Sequence, residues 1–123
     1  MGEPCFTSAL RAGMFFKKAP EYTVQEVSQL LKSSQPPRLL DVRESPEWER
    51  AHLPGSRPLT QAAMAEVVDS WDPNMPIVTV CHHGIRSLKM ARFLEGKGFT
   101  NVRSMKGGME AWALEIDPTV PRY

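Results

Sequence analysis

Cys81-His82-His83-Gly84-Ile85-Arg86-Ser87 begins where the β-branched run Ile77-Val78-Thr79-Val80 stops and ends where a helical pattern starts. One thiol is thereby placed at a strand end, facing a helix N-terminus. A tight loop there turns backbone N–H groups inward, and the helix end adds partial positive charge, so the hollow suits an anion or a thiolate. Arg86 adds a full charge. These influences hold a cysteine pKa below that of a free thiol, which makes Cys81 a nucleophile at neutral pH. A cysteine after an apolar strand is commonly an inert core residue. Here two histidines and an arginine follow within five residues, poor filling for a core, and Gly84 frees the backbone to turn with positive φ.

The elements that position this loop are legible from spacing. Thr23-Val24-Gln25-Glu26 is a capping box, and Val24, Val27, Leu30 and Leu31 recur at helical spacing, which predicts a helix over about 24–33. Arg38 to Val42 reads as a short buried strand, after which Ser45 caps a helix opened by Pro46. His52-Leu53-Pro54-Gly55 turns the chain, and an extended piece near Ser56 to Leu59 leads into the apolar-periodic segment Ala62 to Trp71. Ile77 to Cys81 is apolar throughout, as a strand covered on both faces should be, and belongs in the middle of a sheet. Leu88, Met90, Ala91, Phe93 and Leu94 form the broad apolar side of the next helix, closed by Gly96 and Gly98. Asn101 to Met105 reads as a strand, Gly107-Gly108 as a turn, and Met109 to Leu114 as a short helix.

Strands alternating with helices imply an α/β fold with an open parallel sheet and helices on both faces. In such sheets ligands bind outside the carboxyl ends of strands, where Cys81 sits. Asp41-Val42-Arg43 ends a second strand; its charged residues either brace the wall of the site or are ordinary strand-end polar groups.

The 123 residues fit one domain, expected over 21–123, preceded by an N-terminal extension over 1–20. That extension carries Ala9, Leu10, Met14, Phe15 and Phe16, interrupted by Arg11 and Gly13, too charged for a secretory segment. Met1-Gly2 does not complete an acylation signal, because Phe6 stands where Ser or Thr is needed. A net charge of +1, with basic and acidic residues mixed, argues against nucleic acid as a partner. No apolar run approaches the roughly 20 residues that span a bilayer, so no membrane association is expected. Cys5 and Cys81 lie far apart and are not expected to pair, which fits a reducing compartment and favours the cytoplasm.

Together with the loop, Leu40-Asp41-Val42-Arg43, Glu47-Trp48, His52-Leu53-Pro54-Gly55 and Gly107-Gly108-Met109-Glu110-Ala111-Trp112 make the chain resemble a single-domain rhodanese, a rhodanese-like sulfurtransferase, over about Tyr22 to Tyr123. In that family an active loop opens on Cys, with Gly at its fourth and Arg at its sixth position, here Cys81, Gly84 and Arg86. The resemblance implies a five-stranded parallel sheet between helices and a reaction in which Cys81 carries sulfur as a persulfide. It implies a small anionic sulfur donor such as thiosulfate or a persulfide, and a thiol, cyanide or a carrier protein as acceptor. The second loop position, often Arg in thiosulfate-using members, is His82, which leaves the preferred donor open. Ala51 stands where many members carry Gly, a departure that matters if the residue needs positive φ.

On this reading Cys81 is catalytic, and His82, His83, Gly84, Ile85, Arg86 and Ser87 form the active-site loop. Arg86 is expected to close the loop and attract anionic donors, since a cation at a helix N-terminus is misplaced for stability. His82 and His83 either steer anions or stand as solvated lip residues. Trp48 and Trp112 read as core aromatics, and His52 as satisfying backbone groups in its turn. No cofactor is expected, and no metal, because adjacent residues cannot readily converge on one tetrahedral ion and no C-x-x-C pair is present. A monomer or a homodimer both fit.

Two other functions use similar parts. A cysteine-dependent phosphatase or arsenate reductase also sets a thiolate over an anion-binding loop ending in Arg, but with Arg six residues after Cys, whereas Arg86 follows Cys81 by five. A non-catalytic rhodanese-like interaction module would present a surface to a partner, for which residues 1–20 and the tail 117–123 are the candidates.

Overall fold

The computed structural model describes residues 20–122. Most of the expected N-terminal extension, Cys5 and Tyr123 lie outside the described residues. Five parallel strands, β1 (Glu21–Tyr22), β2 (Arg38–Asp41), β3 (Arg57–Pro58), β4 (Ile77–Val80) and β5 (Val102–Met105), form one sheet in the order β1-β5-β4-β2-β3. The helices between and after them are α1 (Val24–Leu31), α2 (Ser45–Arg50), α3 (Gln61–Ser70), α4 (Ile85–Gly96) and α5 (Gly108–Glu115). This is the expected α/β architecture, and β4 is the central strand, all four of its residues buried.

Strand side chains alternate between faces, so one core divides into two. Leu39, Val78, Val80 and Met105 pack with Val24 and Val27 of α1 and with Met109 and Trp112 of α5. Leu40, Ile77 and Val102 point the other way and pack with Val67 of α3 and Ala91 and Leu94 of α4. Each fully buried aliphatic side chain stabilises the fold by about 1.5–3 kcal/mol relative to exposure. Parity along β4 then puts Cys81 on the same face as Ile77 and Thr79, toward α4.

Caps fix where the helices start. Thr23 and Glu26 form the expected capping box on α1, with Thr23 N–H donating to Glu26 Oε1 at 2.8 Å and Glu26 N–H to Thr23 Oγ1 at 3.1 Å. Thr60 caps α3 through Ala63 N–H. At α2 the expectation is corrected: the cap is Glu44, not Ser45, because the Glu47 carboxylate reaches back to the Glu44 N–H at 2.9 Å and draws Ser45 into the first helical turn.

β1 is a strand that the spacing did not reveal. With two residues it is too short to show alternation, and it is defined by its neighbour: Glu21 and Tyr22 align with Ser104 and Met105, and Ser104 N–H donates to the Pro20 carbonyl at 2.6 Å. No helix among the described residues is long and apolar enough to cross a membrane.

Candidate active site

The loop between β4 and α4 lies at the carboxyl end of the sheet, level with the end of β2, where Asp41 aligns with Val80. Gly84 is the N-cap of α4 at φ +94, a conformation that a side chain would strain. A Cβ at Gly84 would also come 2.9 Å from the Gly107 nitrogen, so the loop closes against the start of α5 only with glycine there.

Cys81 is 1 % exposed, yet its sulfur does not face hydrocarbon. Sγ accepts from Gly84 N–H at 3.0 Å and from Ser87 N–H at 3.4 Å, and Ser87 Oγ lies 3.3 Å away. The Arg86 N–H adds to this group. Burial pushes the Cys81 thiol up, the largest single influence, but the Ser87 hydroxyl and the Ser87, Gly84 and Arg86 amides together outweigh it and hold the pKa below the ordinary thiol value. The first turn of α4, twelve residues long, faces the same sulfur with its partial positive charge.

Ser87 in turn is positioned by two hydroxyls. Its Oγ is 2.7 Å from Ser104 Oγ, and its carbonyl accepts from Thr79 Oγ1 at 2.7 Å; Thr79, Ser87 and Ser104 are all fully buried. Ser104 was missed by sequence reasoning, because a serine in the short strand Val102–Met105 carries no pattern linking it to a loop 17 residues earlier. The only available signal is parity: residues 102 and 104 share the α4 face of β5.

The start of α5 grips the loop from outside. Met109 N–H donates to the Cys81 carbonyl at 2.8 Å and Glu110 N–H to the His82 carbonyl at 3.0 Å. Gly107 and Gly108 both have positive φ, and a Cβ on Gly108 would overlap the Cys81 and His82 carbonyl oxygens. What reads in the sequence as a turn is thus also a docking point for the loop.

Of the other loop side chains, His83, Ile85 and Arg86 are exposed. His82 is half-buried and His83 exposed, their rings meeting edge-on with centroids 4.0 Å apart. Ile85 is 67 % exposed at the mouth. The Arg86 guanidinium meets α2, with Nη1 3.5 Å from Glu47 Oε1, while the Arg86 backbone serves Cys81.

Asp41 and Arg43 pair directly with one another. Arg43 Nη2 meets Oδ2 at 2.7 Å, Nε meets Oδ1 at 2.9 Å, and Nη2 also donates to the Ala51 carbonyl at 2.6 Å, with both side chains buried. The pair ties the end of β2 to the end of α2. Ala51 has φ −166, extended backbone that needs no glycine, so its departure from the family pattern is without strain. Trp112 belongs to the core as expected, but Trp48 is only half-buried: it stacks on His52 at 3.7 Å and donates from Nε1 to Ser56 Oγ. His52 Nδ1 lies 2.7 Å from the Trp48 carbonyl, the backbone contact expected of it.

A family model described as a rhodanese-like domain matches residues 23–115. The chain is 39% identical over 83 residues to a thiosulfate sulfurtransferase, GlpE, of Pseudomonas savastanoi, covering 67% of this chain and 78% of that one. It is 36% identical over 90 residues to a chloroplastic rhodanese-like/PpiC domain-containing protein of Arabidopsis thaliana, spanning 70% of this chain but only 30% of that protein's length. A crystal structure of a rhodanese-like domain protein from Staphylococcus aureus superposes with a TM-score of 0.68 at 26% identity, covering 84% of this chain and 97% of that one.

Proposed function

The chain belongs to the rhodanese-like domain family, and from that premise we propose that it is a sulfurtransferase in which Cys81 carries a sulfane sulfur between an anionic donor and a nucleophilic acceptor. The observation that carries this reading is the hydrogen bonding of Cys81 Sγ by Gly84 N–H and Ser87 N–H, which favours the thiolate despite burial.

In the first half-reaction the thiolate attacks the outer sulfur of a donor such as thiosulfate or a low-molecular-weight persulfide. A new S–S bond forms to Sγ as the donor's S–S bond breaks, and the electron pair leaves with sulfite or a thiolate. The terminal sulfur left on Cys81 is anionic, and N–H groups fixed before it arrives stabilise it as an oxyanion hole stabilises developing charge. In the second half-reaction cyanide, a thiol or a carrier-protein thiol takes that sulfur, and the bonding pair returns to Sγ as thiolate. The cycle is covalent and ping-pong, with no net proton or electron supplied by another group.

Ser87 acts as a switchable partner. The O–H donates to the thiolate, whereas a protonated Cys81 donates to Oγ, and Ser104 Oγ can serve as donor or acceptor in either state. His83 and Ile85 flank the path of incoming molecules. A cytoplasmic setting suits a thiolate that must remain reduced between turnovers.

Intact mass before and after thiosulfate tests the reading. One added sulfur atom on the Cys81 peptide, removable by reductant or cyanide and absent in Cys81→Ser, is the expected result. Rapid release of phosphate from an aryl phosphate without sulfur loading would instead favour the phosphatase alternative, and turnover undiminished in Cys81→Ser would refute the assignment.

A further inference from the structure

We propose that Glu47, by holding Arg86, makes the site favour monoanionic over dianionic sulfur donors, an inference that rests on the sulfurtransferase reading above. Arg86 is the only Lys or Arg in the loop 81–87, the side chain expected to draw in an anion. Its guanidinium is instead engaged by Glu47, with Nη1 and Oε1 3.5 Å apart.

The carboxylate is held in place from the other side. The same Oε1 accepts the Glu44 N–H at 2.9 Å, so the capping of α2 fixes a negative charge beside the loop. Arg43, at the neighbouring strand end, is bound to Asp41, and the Glu110 carboxylate, which faces His82 and His83, is bound to Arg122 at 2.6 Å. Arg86, Arg43 and Arg122 therefore each have a carboxylate, which leaves the loop amides and the helix end as the attraction built into the loop itself. Those suffice for one negative charge. Each charge on the donor gains little from the compensated Arg86, so the attraction forgone is about twice as large for a dianion as for a monoanion.

Thiosulfate and methanethiosulfonate separate charge from chemistry. Both offer a terminal sulfur to the Cys81 thiolate; in each the donor S–S bond breaks and the pair leaves, with sulfite in one case and methanesulfinate in the other. The first is a dianion and the second a monoanion. Glu47→Gln keeps an oxygen to accept the Glu44 N–H while removing the charge.

At low ionic strength the variant should raise kcat/KM for thiosulfate about 3–10-fold and for methanethiosulfonate about 2–3-fold, the two factors converging toward unity at high salt. The alkylation rate of Cys81 by uncharged iodoacetamide, measured at a pH on its upper plateau where the residue is fully thiolate, should be unchanged. Equal factors for the two donors would overturn the proposal. So would a changed alkylation rate, which would mean that Glu47 acts through the shape of the loop. The same gain in an Arg86→Gln background would also overturn it, by showing that Glu47 does not act through Arg86. If neither donor loads sulfur onto Cys81 of the unaltered protein, the sulfurtransferase reading itself has failed and the inference falls with it.

Discussion

Met109 N–H donates to the carbonyl of Cys81 at 2.8 Å, so the first turn of α5 holds the residue whose sulfur the first turn of α4 faces. With Glu110 N–H on the His82 carbonyl, two consecutive loop peptides have their oxygens turned toward α5. Peptides are planar and the described residues include no cis bond, so the His82 and His83 N–H groups point away from α5. The direction of the loop amides is thereby imposed from outside the loop.

The rate of Cys81 alkylation by iodoacetamide should stay high at pH values where an ordinary thiol slows. Only the thiolate reacts, and hydrogen bonds hold its pKa down. The rate falls as pH drops through that lowered pKa and is level above it. Peptide mapping separates Cys81 from Cys5. An inflection at or above the ordinary thiol value would contradict the hydrogen-bonded thiolate.

Ser87→Ala removes the hydroxyl next to Sγ while keeping the Ser87 amide, so the inflection should move up. One hydrogen bond to a charged acceptor contributes about 1.5–3 kcal/mol, and the 3.3 Å approach places this one at the low end. Sulfur transfer to cyanide near neutral pH should fall about 10-fold. Ser104→Ala removes only the partner of Ser87 and should move both readouts the same way by less.

Gly108→Ala should be among the most damaging small substitutions in the domain. The methyl group would overlap the Cys81 and His82 carbonyls, and the residue has φ +62. Relieving the overlap means withdrawing α5 from the loop. A loss of about 1–3 kcal/mol in urea unfolding is expected, with a loss of persulfide formation larger than the loss of folded protein. Gly55→Ala is a useful contrast: that site also has positive φ, but a Cβ there meets nothing within 4 Å.

Asp41→Ala removes the carboxylate that meets the buried Arg43 guanidinium at 2.7 Å. Breaking one side of a buried pair costs about 3–5 kcal/mol. Urea denaturation should report that loss directly. Replacing both residues with apolar groups of similar volume should cost less than the single change, because no charge is then left uncompensated.

The sequence revealed most where one element carries its own signal. The apolar run Ile77 to Val80, the capping box at Thr23 and the glycine-containing loop after β4 are local patterns, and each appears in the structure within a residue or two. Two things were not legible because they depend on partners distant in sequence. β1 exists by pairing with β5, and Ser104 reaches Ser87 because β5 and α4 share a face. Arg86 shows a third kind of limit: its charge could be read, but which way the side chain turns depends on Glu47, some forty residues earlier in the chain. For Asp41 and Arg43 the sequence left open whether they brace the site wall or are ordinary strand-end polar groups; in the structure they close on each other.

Because the loop peptides are oriented by α5 and by glycines, the exposed side chains of His83 and Ile85 are not what turns the amides of the cup that surrounds the sulfur. Those two positions are therefore open to exchange without rebuilding the reactive centre. The same scaffold can be re-addressed to a new customer by altering its doorway while the workshop behind it stays intact.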